Sequence, residues 1–392
     1  MVKRRPDLPP RPRGRLARRL TAAAALGQFE LPVCTGCETV VFPVQELCRT
    51  CLSDRLQWRS VSPLGKLLTR TVIRHSTDAY FQGRRPIIMG TAQLDCGPVV
   101  FARLSPDCTE IGVRLRVFNT LDRSGEQVFV AMPEDAEVET NIVADPNREV
   151  NGKTVLVTGA DGGIGGALVD AFVKAGAARV WAATRRPVQG DADEGSVVRR
   201  VRIDVTDIAS IEAAVAATGG QVEILVNNAG VTAVSGLLDA DGIEGARQEM
   251  EVNYLGTLNA IRGFAPAMKA RGQGVIVNVL TVLAHANLPS MGSYCASKAA
   301  ALSMTQGVRA ELIPWGVRVA SIFPSTVDTP ASSDSPPPKL RPAQVADAIV
   351  RQIIAGTEDV YPGRIAADLY SGWRDSHKVV ERELGMALPE PR

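Results

Sequence analysis

The sequence of 392 residues has no run of eighteen apolar residues, so nothing in it reads as a membrane-spanning helix. Its 35 glycines and 25 prolines fall well short of a low-complexity or collagen-like composition. With 45% hydrophobic and 22% charged residues, it is not a largely disordered chain, and there is room for at least one sizeable core. At this length two or three domains are expected. The net charge of +2 excludes little by itself, but it is unevenly spread: residues 1–60 hold eleven Lys/Arg against five Asp/Glu, and the remainder is mildly acidic. The first thirty residues lack a secretory pattern. Lys3, Arg4, Arg5, Arg11, Arg13, Arg15, Arg18 and Arg19 precede only the brief apolar run Ala22–Leu26, with no long apolar stretch. Serine is absent from this leader and four prolines interrupt it, which argues against a mitochondrial presequence. A cytoplasmic location is expected. Two readings of the leader stay open: a solvated basic arm running into a short helix near Arg15–Leu26, or a helix that docks on an acidic partner or a phosphorylated ligand.

The seven cysteines are not scattered. Cys34-Thr35-Gly36-Cys37 and Cys48-Arg49-Thr50-Cys51 are two CxxC knuckles ten residues apart. Each can place two thiolates on one side of a tight turn, and two such turns complete a four-sulfur tetrahedral site suited to Zn²⁺. A redox CxxC occurs singly before a helix, and disulfides do not suit a chain without a secretion signal, so structural zinc is the expected reading. The metal would hold together a segment too short to fold on its own core. Cys96, Cys108 and Cys295 lack such spacing and are expected to be small buried residues.

From residue 60 to about 132 the chain reads as five short strands with Gly, Pro and Asp between them: Gly65–Ile73, Pro86–Leu94, Pro98–Leu104, Val113–Val117 and Gln127–Ala131. This suits a small closed barrel such as an OB-fold. The barrel has few aromatics and no strongly basic stripe along its strands, so no nucleic-acid partner is expected. A basic helix, a CxxC…CxxC ribbon with Phe42-Pro43 between its knuckles, and Trp58–Lys66 leading into a barrel together resemble one bacterial family: the acyl-CoA-associated zinc-ribbon/OB-fold proteins. The resemblance covers about residues 10–132. It implies company with thiolases, hydratases or aldolases acting on CoA thioesters.

Composition shifts at Met132–Thr140 and stays polar through Asp145–Glu149. The expected division is an arm and helix at 1–29, a zinc ribbon at 30–59, a barrel at 60–132, a linker at 133–150 and a second domain at 151–392. The second domain opens with the apolar run Lys153–Val157, the turn Thr158-Gly159-Ala160-Asp161-Gly162-Gly163-Ile164-Gly165-Gly166, and helical periodicity over Ala167–Ala175. A strand, a glycine turn and a helix set backbone N–H groups and a helix N-terminus against a pyrophosphate. Further on come Arg202-Ile203-Asp204-Val205, Ile224–Gly230 ending in Asn227-Asn228-Ala229-Gly230, Asn253 within a helix, and Tyr294-Cys295-Ala296-Ser297-Lys298. In this order and spacing the landmarks strongly resemble the short-chain dehydrogenase/reductase family, from about residue 150 to the end. The resemblance implies an α/β Rossmann-type doubly wound parallel sheet, a nicotinamide cofactor and a homo-oligomer, dimer or tetramer.

Tyr294 and Lys298, four residues apart, share a helix face. An adjacent ammonium favours phenolate, so the tyrosine would exchange a proton with the substrate oxygen as hydride moves to or from the nicotinamide. By resemblance Lys298 also holds the nicotinamide ribose and Asn253 maintains a water relay behind it. The family's catalytic serine, thirteen residues before the tyrosine, is here Thr281, which keeps the hydroxyl and adds a rotamer-restricting methyl. The resemblance also assigns Gly159, Asp161, Gly163, Ile164 and Gly165 to the pyrophosphate turn, Asp204 and Val205 to the adenine, and Asn228, Ala229 and Gly230 to the adjoining turn. Pro324, Val327 and Thr329 fall at the carboxamide end, where Ser325 replaces the usual glycine. His285 is read as a polar wall residue. At the end of the second strand Thr184 stands where an acid would bind the 2′-hydroxyl of NAD, and Arg185 follows; hydroxyl plus guanidinium suits a 2′-phosphate, so NADP is favoured, with NAD still open. The loop Ala331–Leu340 is expected to cover the substrate.

Together the two halves point to a 3-hydroxyacyl-CoA/3-ketoacyl-CoA oxidoreductase whose N-terminal module docks a thiolase-like partner or the CoA ester itself. A general carbonyl reductase acting on substrates without CoA, and a non-catalytic scaffold of an acyl-CoA enzyme complex, are the alternatives.

Overall fold

The computed structural model describes residues 15–76, 81, 86–136, 148–186, 196–234, 236–238 and 242–388. The arm before residue 15 and the linker residues 137–147 lie outside the described residues. The chain forms two compact units, Met1–Ala144 and Asp145–Arg392.

In the first unit a single turn of 3₁₀ helix, Arg15–Ala17, leads into helix α1, Arg18–Ala25. Leu20 and the alanines Ala22 to Ala25 are buried, so the apolar part of this basic helix is used within its own unit. Strands β1 (Glu30–Cys34) and β2 (Leu56–Ser60) pair antiparallel and bring Cys34 opposite Leu56. Five strands follow: β3 (Leu64–Ile73), β4 (Ile87–Leu94), β5 (Val99–Leu104), β6 (Arg114–Leu121) and β7 (Gln127–Pro133), closed into a barrel in the order β3-β4-β5-β7-β6. Closure requires β3 to serve two neighbours. Its first residues pair with β6 on one side, β4 pairs along it from Gly65 to Ile73 on the other, and a register shift between Leu67 and Thr69 marks the bend. At the crossing the backbones come so close that a Cβ on Gly65 would lie 2.2 Å from the Gln93 carbonyl oxygen. Alternation supplies the interior: in β6, Leu115 and Val117 are buried while Arg114 and Arg116, which alternate with them, are not. Leu67, Leu94, Val100 and Phe129 complete this core, and Leu20 of α1 joins it.

The second unit is built on seven parallel strands: β8 (Thr154–Thr158), β9 (Arg179–Thr184), β10 (Val198–Arg202), β11 (Ile224–Asn227), β12 (Gly274–Val279), β13 (Val317–Ile322) and β14 (Asp359–Val360), in the order β10-β9-β8-β11-β12-β13-β14. β8, β11, β12 and β13 are near-continuous buried runs because helices cover both faces. The helices are α2 (Gly163–Lys174), α3 (Ile208–Ala217), α4 (Gly242–Glu249), α5 (Thr257–Arg271), α6 (Gly292–Leu312), α7 (Pro342–Ala355), α8 (Arg364–Asp375) and α9 (His377–Leu384). A π-helical turn, Met250–Gly256, joins α4 to α5. The strand order reverses between β8 and β11, and the crevice beyond the strand ends at such a reversal is where ligands of this architecture bind. Arg148 ties the start of the unit to its end by donating to the carbonyls of Ile354, at 2.9 Å, and Ala355, the last turn of α7. The expected α/β doubly wound sheet, preceded by a ribbon and a barrel, is what the chain forms. Among the described residues no helix is long and apolar enough to cross a membrane.

Asn119 of β6 is buried, and its side-chain amide donates to the carbonyls of Leu20 at 3.1 Å and Gln28 at 3.0 Å, pinning both ends of the α1 segment to the barrel. Asn119→Leu leaves two carbonyls without that donor, so it should destabilise the first unit by about 2–3 kcal/mol. Urea unfolding followed at Trp58 measures this; an unmoved midpoint would show that the helix is held by apolar packing alone.

Candidate metal centre and candidate active site

Cys34 ends β1 and Cys37 sits on the turn after it, while Cys48 and Cys51 lie before β2. The four sulfurs lie within 4.8 Å of one another, with Cys34–Cys51 and Cys37–Cys48 both at 3.5 Å. Tetrahedral coordination at about 2.3 Å from a central zinc spaces thiolates by roughly 3.8 Å, so the donor set fits Zn²⁺. Backbone N–H groups stabilise thiolate at two positions: Gly36 donates to Cys34 at 3.4 Å, and the Cys48 thiol is lowered to about 6 by the amides of Cys51 and Thr50. The crowding of thiols pushes Cys51 up to about 12, although the Ser53 amide pulls it down. A divalent cation at the centre removes that conflict by taking four thiolates at once. Cys108 is buried and its sulfhydryl donates to the Ala131 carbonyl, whereas Cys96 is only partly buried.

The second unit's crevice is assembled from the C-terminal ends of β8 and β11. Gly159 has φ +64° and faces Ala229: a Cβ there would lie 3.0 Å from the Ala229 Cα. A Cβ on Gly165 would lie 2.1 Å from the Gly159 carbonyl oxygen, so the turn closes only with glycine at this position. Asn228 locks the two strand ends together, its side chain donating to the carbonyls of Thr158 at 3.0 Å and Gly159 at 3.1 Å. The amides of Asn228 and Ala229 donate to the Thr158 hydroxyl at 3.0 and 3.1 Å. Helix α2 begins with Gly162 as its N-cap, and no side chain caps it. Its first amides are therefore at the disposal of an anion, which fits a pyrophosphate. Ile164 follows Gly163 in that first turn, and Thr329 packs against Gly163 from the other side, its Cγ2 2.8 Å from where a Cβ would be. Pro324 accepts the Val282 amide at 3.1 Å, and buried Val327 bridges to Leu340. The loop Ala331–Leu340 is fastened at its base by Lys339, which donates to the carbonyls of Ser332 at 2.7 Å and Ser333 at 3.0 Å.

At the adenosine end, Thr184 closes β9 and its hydroxyl donates to the Arg186 carbonyl at 3.3 Å. Arg185 and Arg186 are exposed; Arg186 lies 3.6 Å from Asp161 of the glycine turn. The Asp204 carboxyl accepts from the Thr206 hydroxyl at 2.7 Å and amide at 3.0 Å, which lowers its pKa; Arg185 contributes by charge. Val205 is buried beside Gly256.

The reaction end is organised by Asn253, which lies in the π-helical turn rather than in regular helix. That extra residue per turn aims its side chain at Val231, whose N–H donates to Oδ1 and whose carbonyl accepts from Nδ2, both at 2.9 Å. Nδ2 also donates to the Ser297 hydroxyl at 2.9 Å, and Ser297 donates to the Tyr294 carbonyl at 2.8 Å. Ser297, wholly buried inside the Tyr-x-x-x-Lys segment, was not among the sequence candidates; its signal was its place in the motif. Lys298, 6% exposed, donates to the carbonyl of Val279 at the end of β12 at 3.1 Å, and its Nζ lies 5.9 Å from the centre of the Tyr294 ring. Gly230 leaves room for both groups: a Cβ there would lie 3.1 Å from Asn253 Oδ1 and 3.4 Å from Lys298 Nζ. Thr281 is buried just beyond β12, donating to the Pro324 carbonyl and accepting from the Leu283 amide, both at 3.3 Å.

Burial pushes the Tyr294 phenol up, and burial lowers Lys298 to about 8. Desolvation is the largest cause for both groups, since each is enclosed by the protein. His285 lies among aromatic rings, 5.0 Å from both Tyr370 and Trp373 by ring centres, with Nε2 3.0 Å from the Tyr361 hydroxyl. Burial lowers it to about 4, so it stays neutral in that wall.

The short chain dehydrogenase family matches residues 153–339. A short-chain dehydrogenase of Penicillium ochrochloron is 39% identical over 186 residues, 45% of this chain and 66% of that one. An uncharacterised oxidoreductase of Staphylococcus saprophyticus is 33% identical over 216 residues, 52% of this chain and 91% of that protein. The chain belongs to the short-chain dehydrogenase family. The crystal structure of a short chain dehydrogenase from Burkholderia cenocepacia, in complex with NADP, is similar at 41% identity with a TM-score of 0.57, covering 60% of this chain and 98% of that one. Ahead of the dehydrogenase, residues 21–57 match the ChsH2 rubredoxin-like zinc ribbon domain and residues 58–119 the ChsH2 C-terminal OB-fold domain. The protein is thus an NAD(P)-dependent oxidoreductase carrying a zinc-ribbon/OB-fold module.

Cys48→Ser removes a buried ligand and should abolish stoichiometric zinc, measured by metal analysis of the purified chain, and unfold the ribbon. Full zinc content in that variant would show that the four sulfurs are not one site.

Proposed function

We propose that the protein interconverts 3-hydroxyacyl-CoA and 3-ketoacyl-CoA, or a related hydroxy/keto thioester. The observation that carries this reading is the joining, on one chain, of a ChsH2-type zinc-ribbon/OB-fold module to a short-chain dehydrogenase. Acyl-CoA context comes from the first half and carbonyl–alcohol chemistry from the second. The module docks a thiolase-like partner or the CoA ester, and holding the next enzyme on the same assembly raises the effective concentration of the shared intermediate.

In the reductive direction Tyr294 gives its proton to the substrate oxygen while Thr281, turning its hydroxyl from the Pro324 carbonyl, orients that oxygen. Lys298 holds the cofactor ribose, and Asn253, braced by Val231 and Ser297, keeps the polar path behind Lys298 in place. The nicotinamide, when bound, supplies or accepts the hydride. Gly159, Gly163, Ile164 and Gly165 take the pyrophosphate, Asn228, Ala229 and Gly230 the adjoining ribose, Asp204 and Val205 the adenine, and Pro324, Val327 and Thr329 the carboxamide end. NADP is the proposed cofactor: the end of β9 carries no carboxylate, two exposed guanidiniums follow it, and the similar Burkholderia enzyme was crystallised with NADP.

A second copy of the chain is the proposed partner for the groove between α5 and α6, lined by Leu258, Arg262, Met304, Val308 and Glu311. Exposed Arg262 and Glu311 lie on one self-complementary face, as a two-fold contact requires. The mass in solution should be that of a dimer or tetramer, and Arg262→Glu should lower it; a monomeric parent chain would contradict this.

Loss of NADPH absorbance with 3-ketoacyl-CoA esters, run beside the same ketones without CoA and beside NADH, tests the reading as a whole. Turnover of thioesters is expected, faster with NADPH than with NADH, and Tyr294→Phe should reduce it by about 10²-fold or more. Equal turnover of free ketones would favour a general carbonyl reductase.

A further inference from the structure

A carboxylate is costly to bury without a cation or a full set of donors. Glu249, the last residue of α4, is 1% exposed. Its Oε1 accepts from the Ala233 amide at 2.6 Å, while Oε2 is buried without a hydrogen-bond partner among the described residues. The hydroxyl of Thr232, beside Ala233, is buried and likewise has no partner among them. The arginine on the same helix, Arg247, is exposed and pairs with Glu244 at 2.7 Å instead.

The placement of this acid gives it a purpose. Glu249 immediately precedes the π-helical turn that carries Asn253. Asn253 grips Val231 by both backbone groups, and Glu249 grips Ala233, so alternate residues of one segment are fastened by side chains a single turn apart. That segment leads to Leu237, which lies against Gly292: a Cβ on the glycine would be 2.5 Å from Leu237 Cγ. Gly292 is two residues before Tyr294 on α6. We propose that Glu249 is a positioning residue for the reaction, fastening segment 231–233 next to the Asn253 brace so that the chain leading to Leu237 packs on α6 two residues before Tyr294. This rests on the reading of Tyr294 as the proton-transfer group.

Cys295 from its own helix and Glu249 from α4 act on Tyr294 by charge, and Lys298 Nζ lies 5.9 Å from the centre of its ring. Segment 231–234 contributes no titratable side chain, and Asn253 and Ser297 are uncharged. After burial itself, the charges of Cys295 and Glu249 are what raise the phenol, and Glu249 also raises the Cys295 thiol. A negative neighbour disfavours phenolate, so removing it makes Tyr294 easier to deprotonate.

Glu249→Gln keeps an oxygen for the Ala233 amide and removes the charge. In profiles of kcat/KM against pH for the NADPH/ketone assay and its reverse, the limb that reports Tyr294 should move to lower pH by about half to one unit in both directions. Oxidation below that limb should accordingly rise about three- to tenfold. Glu249→Asp, which draws the charge back by one methylene, should weaken the Ala233 anchor and move the limb the same way by less; it serves if the glutamine variant does not fold. Profiles of both variants superimposable on the parent, at any level of activity, would overturn the proposal. Tyr294→Phe separates the two ideas: if it remains active the reading of Tyr294 fails, and if it is dead while the glutamine profile is unmoved only the role of Glu249 fails.

Discussion

The arrangement of the dehydrogenase unit depends on burying the ammonium of Lys298. A buried cation that donates to the Val279 carbonyl is unfavourable in that position, and the lowered value of about 8 expresses the cost. Tolerating it takes a rigid frame. The sheet places the end of β12 where it can accept the hydrogen bond, Gly230 leaves space, and the π-helical turn carries Asn253, which braces Val231 in the segment after β11. Tyr294 is held by the same frame through Ser297. A bound cofactor with an oxidised, cationic nicotinamide would add a second positive charge to that of Lys298, so proton and hydride chemistry would become coupled through one local field.

The first unit solves a different problem. A ribbon of two short strands has almost no core, and a five-stranded barrel of this size has a modest one. The four cysteines replace missing hydrophobic contacts with metal bonds, and α1 lays its buried leucine and alanines onto the barrel, secured by Asn119. The basic character of that helix thus coexists with an internal role. Arg19 lies over the Trp58 ring at 5.0 Å, so part of the charge that looks like a partner signal also packs locally.

Much of this was legible in the sequence because it rests on local rules. The CxxC spacing dictated the sulfur cluster, the alternation of Arg114–Val117 the barrel face, and the Gly159–Gly165 turn the crevice, where a Cβ would strike backbone. What escaped depends on three-dimensional burial. Asn253 reads as an ordinary helical residue because a π turn has no simple periodic signature. The upward push on Tyr294 and the downward push on Lys298 come from desolvation, which spacing alone does not reveal. Glu249 looks like a surface acid on a polar helix; only the fold shows it enclosed and holding Ala233.

The central claim, hydride transfer to the 3-position of a CoA thioester, is tested most directly by isotope. Mixing the protein with NADPH deuterated at the transferable position and a 3-ketoacyl-CoA should yield 3-hydroxyacyl-CoA carrying deuterium on carbon 3, seen by mass spectrometry. Unlabelled thioester, with deuterium appearing only in free alcohols from competing ketones, would contradict the account.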